Sequence, residues 1–201
     1  MAGYDHIAPY YDALKRLVFG RSLENSQLVY LNYIKSSDHV LILGGGTGLV
    51  LDHLDQIQIE YVELSGEMIR LASLRKCASH VNFHQIKFEA FESDQKYDVV
   101  VANYFLDLFT DDDLPAIINK IKSLMRSEGI LLVSDFRPTG NWHHKMLEWA
   151  MHKFFKLTTG LNRNGFALIF DQLTDAGFET VAASTYHDDF VLSKVLRRSS
   201  S

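Results

Sequence analysis

The chain has 201 residues, enough to bury a substantial core as one domain. Its apolar share of 47%, charged share of 22% and formal net charge of −5 indicate a globular protein with no general attraction for nucleic acid or anionic membranes. A single cysteine, Cys77, excludes an internal disulfide framework, and neither a secretory signal nor an apolar run of membrane-spanning length is evident. These features predict a cytoplasmic protein without stable membrane insertion.

The residues before the first predicted strand are expected to form two helices. Apolar residues recur at helical spacing from Tyr10 to Val18, and Phe19-Gly20 is typical of a helix end. A second helix is predicted from Leu23 to Ile34. Residues 1–36 are interpreted as packing against the edge of the sheet, with a lid over a ligand site as the alternative.

From Val40 onwards, predicted strands alternate with helical segments. The strands are expected at 40–43, 59–64, 81–86, 97–102 and 130–135. Ser65 is predicted to cap a helix, and the acids at 111–113 followed by Leu114 and Pro115 are typical of a helix start. Because strands separated by helices form right-handed crossovers, the pattern predicts a parallel, doubly wound α/β sheet.

The pattern changes after the fifth strand. The elements predicted there are an aromatic helix over 141–157, a helix over 166–176, and strands over 178–181 and 190–195. The link between the last two strands is too short for a parallel crossover, so this pair is predicted to be antiparallel. The chain is interpreted as one domain, residues 1–201, built on a three-layer, seven-stranded, mostly parallel sheet. Residues 1–36 form a helical cover, and about 138–165 form a helical insertion near the substrate site.

A glycine-rich turn, Gly44-Gly45-Gly46-Thr47-Gly48, follows the first strand, and an apolar pattern at helical spacing resumes over 49–54. Glycines adopt positive φ and bring bare backbone close to a ligand, so strand, turn and helix together indicate a nucleotide-binding corner. Leu49 occupies the place of the last glycine of a dinucleotide fingerprint. Glu63 ends the second strand about 20 positions after Gly44, the interval expected of a carboxylate that binds ribose hydroxyls.

Four segments of the chain resemble the motifs of the class I S-adenosylmethionine-dependent methyltransferases and follow one another in the same order as in that family. They are residues 40–48, 62–68, 97–103 and 124–131. The antiparallel last strands resemble that family's seventh strand. The stretch from Tyr4 to Gly20, in which Ala8 to Asp12 would fold over the cofactor, is similar to the quinone-biosynthesis and small-molecule members. The resemblance implies a Rossmann-like methyltransferase fold, with S-adenosyl-L-methionine as cofactor and S-adenosyl-L-homocysteine as product.

The resemblance also implies which residues bind the cofactor. The implied set is Tyr11, Gly44, Gly45, Gly46, Glu63, Leu64, Met68, Phe88, Glu89, Asn103 and Tyr104. In this set the glycines approach the methionine part, Glu63 binds both ribose hydroxyls, and Asn103 lies near the amino group and the sulfonium. Tyr11 would reach the carboxylate. Leu64 and Met68 would line the adenine, with ordinary core packing as the alternative; Tyr104 could instead be substrate wall or core.

Three positions depart from the resembled family. Ile42 stands where many members have an acid that helps to orient the loop and the methionine amino group. Lys87 stands where an acid often meets the adenine amine; lysine cannot accept a hydrogen bond, so adenine recognition would rest on backbone or on Glu89. Residues 127–129, Ser-Glu-Gly, replace the usual proline-glycine turn. Because of these departures, a protein that binds the cofactor without transferring its methyl group is the alternative hypothesis. An NAD-dependent oxidoreductase is a third hypothesis, against which Leu49 argues.

Methyl transfer by in-line displacement requires a bound nucleophile and exclusion of water, but no invariant catalytic group. Asp107 is the candidate general base, with a helix cap or a solvated loop acid as the alternative. His143 is a lesser candidate, because a surface histidine on a helix is the preferred interpretation. No metal site is predicted, because His80 and His84 share a strand without a nearby glutamate motif.

The aromatic helix is the sequence's one indication of the acceptor. Its large residues, which cannot all face one sheet, are Trp142, Trp149, Phe154 and Phe155. Some of them are expected to line an apolar cavity or a dimer surface. The leading hypothesis is therefore methyl transfer to a small, partly apolar acceptor, ring-containing or lipid-like, by a monomer or homodimer that does not act on nucleic acid.

Overall fold

The computed structural model of the chain describes residues 16, 18–139, 141–144, 146–147 and 168–199. Its strands are β1 His39–Leu43, β2 Gln58–Glu63, β3 His80–Gln85, β4 Tyr97–Asn103, β5 Met125–Phe136, β6 Phe178–Tyr186 and β7 Val191–Arg198. The α-helices are α1 Ser22–Leu28, α2 Gly66–Ser73, α3 Leu114–Leu124 and α4 Ile169–Asp175. Short 3-10 helices cover Leu31–Tyr33, Leu49–His53, Phe88–Ala90 and Leu106–Leu108.

The strands form one sheet in the order β3-β2-β1-β4-β5-β7-β6. The pairings from β3 to β5 are parallel, whereas β7 runs antiparallel to both β5 and β6. The predicted seven-stranded, doubly wound sheet with an antiparallel end is therefore confirmed. The strand order reverses between β1 and β4, and the carboxyl ends of strands at such a point are where open α/β sheets bind ligands.

Alternate residues of each strand supply the two layers of the core, as the period of two in a strand requires. One face carries Leu41, Leu43, Val62, Val100, Ala102, Leu131 and Val133. Helices α3 and α4 cover this face. The opposite face carries Val40, Ile42, Ile59, Tyr61, Val99, Val101 and Leu132. The 3-10 helix Leu49–His53 and α2 pack there through Val50, Leu51 and Ala72. The strands next to the glycine turn, β1, β2 and β4, are therefore packed on both faces of the sheet.

Buried serines attach α1 to the sheet. Ser26 of α1, Ser134 of β5 and Ser193 of β7 are each at most 3% exposed. The hydroxyls of Ser134 and Ser193 donate to the carbonyl oxygen of Ser26 at 2.7 and 3.0 Å. Because buried polar groups are stable only when hydrogen-bonded, these contacts fix where α1 lies.

Replacing Ser134 with alanine is expected to lower the free energy of unfolding by about 1–2 kcal/mol, because the buried Ser26 carbonyl loses a donor. Urea denaturation measures the change. Ser123→Ala, at an exposed hydroxyl that donates to the carbonyl of Lys120, is the matched control and should stay within about 0.5 kcal/mol of the wild type. Equal losses in the two variants would contradict a stabilising role for the buried network.

Several predicted boundaries are wrong, including the strand expected over 178–181, which runs to Tyr186 because it pairs with β7 along its whole length. The second helix ends at Leu28 rather than Ile34, because Tyr30 leaves the helical conformation with φ −114° and ψ 13°. The Tyr30 hydroxyl lies 2.9 Å from that of Ser184 in β6. The helical segment expected over 49–54 lies within one residue of that expectation, at Leu49–His53, but it is a 3-10 helix. Residues 127–129 belong to β5, where the pairing with β4 is irregular, rather than to a turn.

Several predictions concern residues outside the described ranges. These are the helix starting at Tyr10, the stretch Ala8–Asp12 and most of the helix over 141–157. The described part of that last helix comprises residues 142–144 and 146–147. The roles of 1–36 as a cover and of 138–165 as an insertion therefore stay predictions. Within the described ranges, no helix combines the length and apolar character needed to cross a membrane.

Candidate functional site

The glycine turn at the carboxyl end of β1 is held tightly on one side and open on the other. Gly48 has φ +78°, and a Cβ built on it would lie 2.8 Å from the Cβ of Ala72 in α2. Gly46 has φ +59°, yet a Cβ built there would meet nothing within 4 Å. Glycine at 48 therefore permits close helix packing, whereas glycine at 46 leaves its backbone facing open space that a ligand can enter.

Glu63, the last residue of β2, joins the turn to the start of α2. Its Oε2 accepts a hydrogen bond from the backbone N–H of Gly46 at 3.1 Å, and its Oε1 accepts one from the N–H of Ser65 at 2.9 Å. The Ser65 hydroxyl in turn accepts from the N–H of Met68 at 3.2 Å, so the predicted cap is confirmed. The two backbone donors orient the half-buried carboxylate before any ligand arrives.

Arg75 supports the outer side of the same turn, which the sequence analysis did not predict. Its Nε donates to the carbonyl oxygen of Thr47 at 2.8 Å, and its Nη1 lies 2.9 Å from the Asp52 carboxylate. Because a guanidinium presents several donors in a rigid plane, it links the turn to the following 3-10 helix. A lone arginine after a helix carries no pattern that would have revealed this role.

The residues expected to line an adenine lie beside Glu63 or after β3. Leu64 is 43% exposed, whereas Met68 and Phe88 are only 2% and 3% exposed. Glu89 and Lys87 are both exposed after β3. Leu64 thus presents an accessible apolar surface next to the carboxylate, while Met68 and Phe88 lie in the core beneath this edge.

The carboxyl end of β4 supplies the residues across the turn. Asn103 is half-buried, and Tyr104 follows with φ +52°, a conformation that is costly for a side chain with a Cβ and that clusters at functional sites. The backbone N–H of Tyr104 donates to the Ser134 carbonyl at 2.7 Å, and its hydroxyl lies 2.6 Å from that of Ser26. Tyr104 therefore connects this strand end to α1.

Asp107 lies in the 3-10 helix after β4, beside a carboxylate that the sequence analysis missed. Its backbone N–H donates to Oδ2 of Asp135 at 3.2 Å, and Oδ1 of Asp135 accepts from the N–H of Phe136 at 2.9 Å. Asp135 is fully buried at the carboxyl end of β5. Its place as a polar residue at the end of an apolar strand was the signal that could have identified it.

Aromatic side chains cluster at the carboxyl ends of β4 and β5. This aromatic edge cluster consists of Phe19, Leu23, Phe136, Phe190 and Val191, with Tyr104, Leu147 and Tyr186 packed against it. Burial raises the pKa of Tyr186, and the nearby Tyr30 adds to the effect. The Tyr186 hydroxyl therefore stays neutral at physiological pH.

The two adjacent histidines in the helical residues 142–144 lie in different surroundings. His144 is 5% exposed, stacks on Phe190 with ring centroids 4.7 Å apart, and has its Nδ1 2.6 Å from the Thr139 hydroxyl. His143 is exposed and lies against the ring of Trp142. The histidine that contacts the aromatic edge cluster is therefore His144, whereas the sequence analysis selected His143.

The structure brings most of the predicted cofactor residues to one edge of the sheet. The glycines of the turn, Glu63, Leu64 and the pair Asn103–Tyr104 lie at the carboxyl ends of β1, β2 and β4. Tyr11 is outside the described residues. Among the residues that the structure describes, no group of three or more histidine, cysteine, aspartate or glutamate side chains is placed to hold a metal ion.

Residues 16–183 match the model of a family described as a methyltransferase domain. A curated relative, malonyl-[acyl-carrier protein] O-methyltransferase of Acetivibrio thermocellus, is 34% identical over 106 residues. That alignment covers 51% of this chain and 37% of the relative, so the chain spans little more than a third of that protein.

Solved structures share the fold at low sequence identity. One of them is a DhpI–SAH complex, whose alignment covers 98% of this chain and 94% of the DhpI chain, with a TM-score of 0.73 and 19% identity. Another is the 1,6-didemethyltoxoflavin-N1-methyltransferase of Burkholderia thailandensis, solved with bound 1,6-didemethyltoxoflavin and S-adenosylhomocysteine. Its alignment covers 98% of this chain and 87% of the methyltransferase chain, with a TM-score of 0.68 and 15% identity. At these identities the likeness establishes the fold.

Proposed function

Because the chain belongs to the methyltransferase-domain family, we propose that it binds S-adenosyl-L-methionine and transfers the methyl group to a small acceptor. The observation that carries this proposal is the Glu63 carboxylate, held by the N–H groups of Gly46 and Ser65 beside an open glycine turn. A carboxylate at the end of the second strand suits the two hydroxyls of a ribose, and the open backbone of Gly46 suits the close approach of the rest of the ligand.

The remaining cofactor roles are assigned on the same geometry. Asn103, at the end of the neighbouring β4, has a side-chain amide that can both donate and accept, as the methionine amino and carboxylate groups require. Leu64 offers its exposed apolar surface to the adenine. Gly44 and Gly45 complete the turn, and Tyr11 is assigned to the methionine carboxylate. Met68, Phe88, Glu89 and Tyr104 complete the proposed set, with Met68 and Phe88 supporting the adenine side from below.

S-adenosyl-L-methionine supplies an activated methyl group that leaves with the acceptor, and S-adenosyl-L-homocysteine remains. The protein's task is to place the acceptor in line and to exclude water. The aromatic edge cluster lies at the carboxyl ends of β4 and β5, next to Asn103 and Tyr104, and suits an apolar ring or chain. Relatives named for a malonyl group on a carrier protein and for a heteroaromatic ring are consistent with a small, partly apolar acceptor.

Asp107 is proposed as the general base for an acceptor that loses a proton. Asp107→Asn is expected to lower kcat by about 10²-fold, because the amide cannot take up a proton, while the affinity for S-adenosyl-L-methionine stays within about twofold. Asp112→Asn, at an exposed residue just before α3, is the control. Steady-state kinetics and calorimetry separate the two quantities, and an unchanged kcat would remove Asp107 from the base role. His143 is retained only as a second acceptor-side candidate.

Two measurements test the proposed function in sequence. Isothermal titration calorimetry with S-adenosyl-L-methionine and S-adenosyl-L-homocysteine is expected to show one site per chain. A coupled assay of S-adenosyl-L-homocysteine formation is then run against small acids, phenols, heteroaromatic rings and amphipathic precursors. A peptide mixture and RNA are included in the same assay as non-small-molecule acceptors. Absence of cofactor binding refutes the proposal, and methylation confined to the peptides or RNA refutes the acceptor class.

One observation favours a second candidate, a protein that binds the cofactor without turnover. Ile42 is 1% exposed within the core and offers no polar group to the glycine turn. If that turn were poorly oriented, binding could persist while transfer failed. Binding in calorimetry with no product from any acceptor class, at high enzyme concentration, would select this candidate.

A further inference from the structure

Tyr61 and Gly45 fit each other across the interface between β2 and the glycine turn. The side chain of Tyr61 is fully buried. A Cβ built on Gly45 would lie 2.3 Å from both the Cζ and the hydroxyl oxygen of Tyr61, far inside van der Waals contact. The φ of Gly45 is not in the left-handed region, so the ring of Tyr61, rather than the backbone conformation, excludes a side chain at this position.

The hydroxyl of Tyr61 also bonds the most open residue of the turn. It donates to the carbonyl oxygen of Gly46 at 3.0 Å, while the N–H of Gly46 donates to Glu63 at 3.1 Å. Tyr61 and Glu63 are two positions apart on β2 and therefore lie on the same face of the strand. One strand thus holds both the N–H and the C=O of Gly46.

The residue opposite Tyr61 cannot make this bond. In the register of β1 and β2, Ile42 pairs with Tyr61, and both are buried on the same face of the sheet. Ile42 is apolar, so the polar contact to the turn comes from β2 rather than from β1. The Tyr61 hydroxyl reaches Gly46 only because Gly45 has no side chain and so leaves room for the tyrosine ring.

We propose that Tyr61 is a positioning residue that sets the orientation of Gly46 for cofactor binding, in place of a polar group at position 42. The inference rests on the proposed function, since the affinity that Tyr61 controls is that for S-adenosyl-L-methionine. With Tyr61 in this role, the absence of a polar group at Ile42 no longer argues that the turn is poorly oriented. The turn keeps its orienting hydrogen bond, donated from the neighbouring strand.

The first test removes only the hydroxyl. Tyr61→Phe keeps the ring and its packing but deletes the bond to Gly46, so calorimetry should show S-adenosyl-L-methionine binding about three- to tenfold weaker than in the wild type. Tyr97→Phe is the matched control: Tyr97 is 1% exposed and its hydroxyl bonds Ser93 at 3.0 Å, at the amino end of β4. Both variants are titrated at a temperature where circular dichroism shows them folded.

The second test uses the steric pair. Gly45→Ala displaces the ring of Tyr61 and should weaken binding by about tenfold or more, whereas Gly45→Ala combined with Tyr61→Ala should bind no more weakly than Tyr61→Ala alone. Such non-additivity is expected only if Gly45 acts on binding through Tyr61. If Gly45→Ala fails to fold, Tyr61→Phe still decides the matter.

The outcomes separate this inference from the proposed function. A wild-type chain that does not bind S-adenosyl-L-methionine refutes the proposed function. A wild-type chain that binds, together with a Tyr61→Phe variant whose affinity equals that of Tyr97→Phe, refutes the positioning role alone. Additive losses for Gly45→Ala and Tyr61→Ala refute the steric action of Gly45 through Tyr61, and Tyr61→Phe then decides the positioning role. A selective loss in Tyr61→Phe, with a melting temperature comparable to that of Tyr97→Phe, supports it.

Discussion

Replacing Glu63 with alanine is expected to weaken S-adenosyl-L-methionine binding by roughly 10²- to 10⁴-fold, since two charge-assisted hydrogen bonds to ribose hydroxyls would be lost. The variant also loses the acceptor of the Gly46 N–H, so the turn is no longer fixed to the end of β2. The first effect removes contacts of the bound state, and the second loosens the turn already in the free protein. The sheet does not depend on Glu63 for packing, because the side chain lies at the strand end rather than in the core.

Calorimetry on Glu63→Ala and Glu63→Gln measures the loss. The glutamine variant keeps the size and one oxygen of the side chain, so its affinity should fall between those of alanine and the wild type. Glu60→Ala is the control on the same strand, because its carboxylate bonds Asn82 and His84 of β3 rather than the turn. Affinity in Glu63→Ala equal to that in Glu60→Ala would overturn the assignment of the site.

Replacing Gly48 with alanine is expected to lower the free energy of unfolding by about 2–4 kcal/mol. Of this, about 1 kcal/mol arises from holding a Cβ-bearing residue at φ +78°, and about 1–3 kcal/mol from overpacking against Ala72. Little relief is available, because the new Cβ would also lie 2.9 Å from the Cα of Ala72, which is backbone. The melting temperature should fall by roughly 5–15 °C.

Gly20→Ala separates the two contributions. Gly20 has φ +58° but nothing within 4 Å of a built Cβ, so its substitution should cost only the conformational part, about 1 kcal/mol. Adding Ala72→Gly to Gly48→Ala removes one of the two clashing atoms, and the double variant should lose less stability than the sum of the single changes. Differential scanning calorimetry is run on Gly48→Ala, Gly20→Ala, Ala72→Gly, the double variant and the wild type. Equal losses for Gly48→Ala and Gly20→Ala would show that helix packing at Gly48 is unimportant.

The centre of the sheet could be predicted from the sequence because β1 and β4 are short apolar runs, each followed by turn residues. The positions of Glu63 at a strand end and of Ser65 at a helix start were also predictable, because they depend only on distance along the chain. The contact of Tyr30 with Ser184 was not predictable, because it joins residues far apart in sequence. Local periodicity carries no information about such a contact.

In the candidate site too, local patterns could be predicted from the sequence, whereas contacts between residues distant in sequence could not. The glycine turn is visible in the sequence, but the fit of Tyr61 against Gly45 depends on the register of β1 and β2. Asp135 reads as the end of a strand, and its bond to the backbone of Asp107 emerges only when β4 and β5 are paired. The departure at Ile42 was visible from the sequence, whereas the polar contact from the neighbouring strand was not.

The position of β7 governs the order in which the molecule can be completed during synthesis. β7 follows β6 in sequence but lies between β5 and β6, so β6 has no partner in the sheet until β7 has emerged from the ribosome. Ser193 of β7 is also one of the two donors to Ser26, which means that α1 gains its full attachment only then. Contacts this distant in sequence form late because loop closure is costly. A nascent chain therefore holds the glycine turn early, but α1 docks fully only after β7 is released.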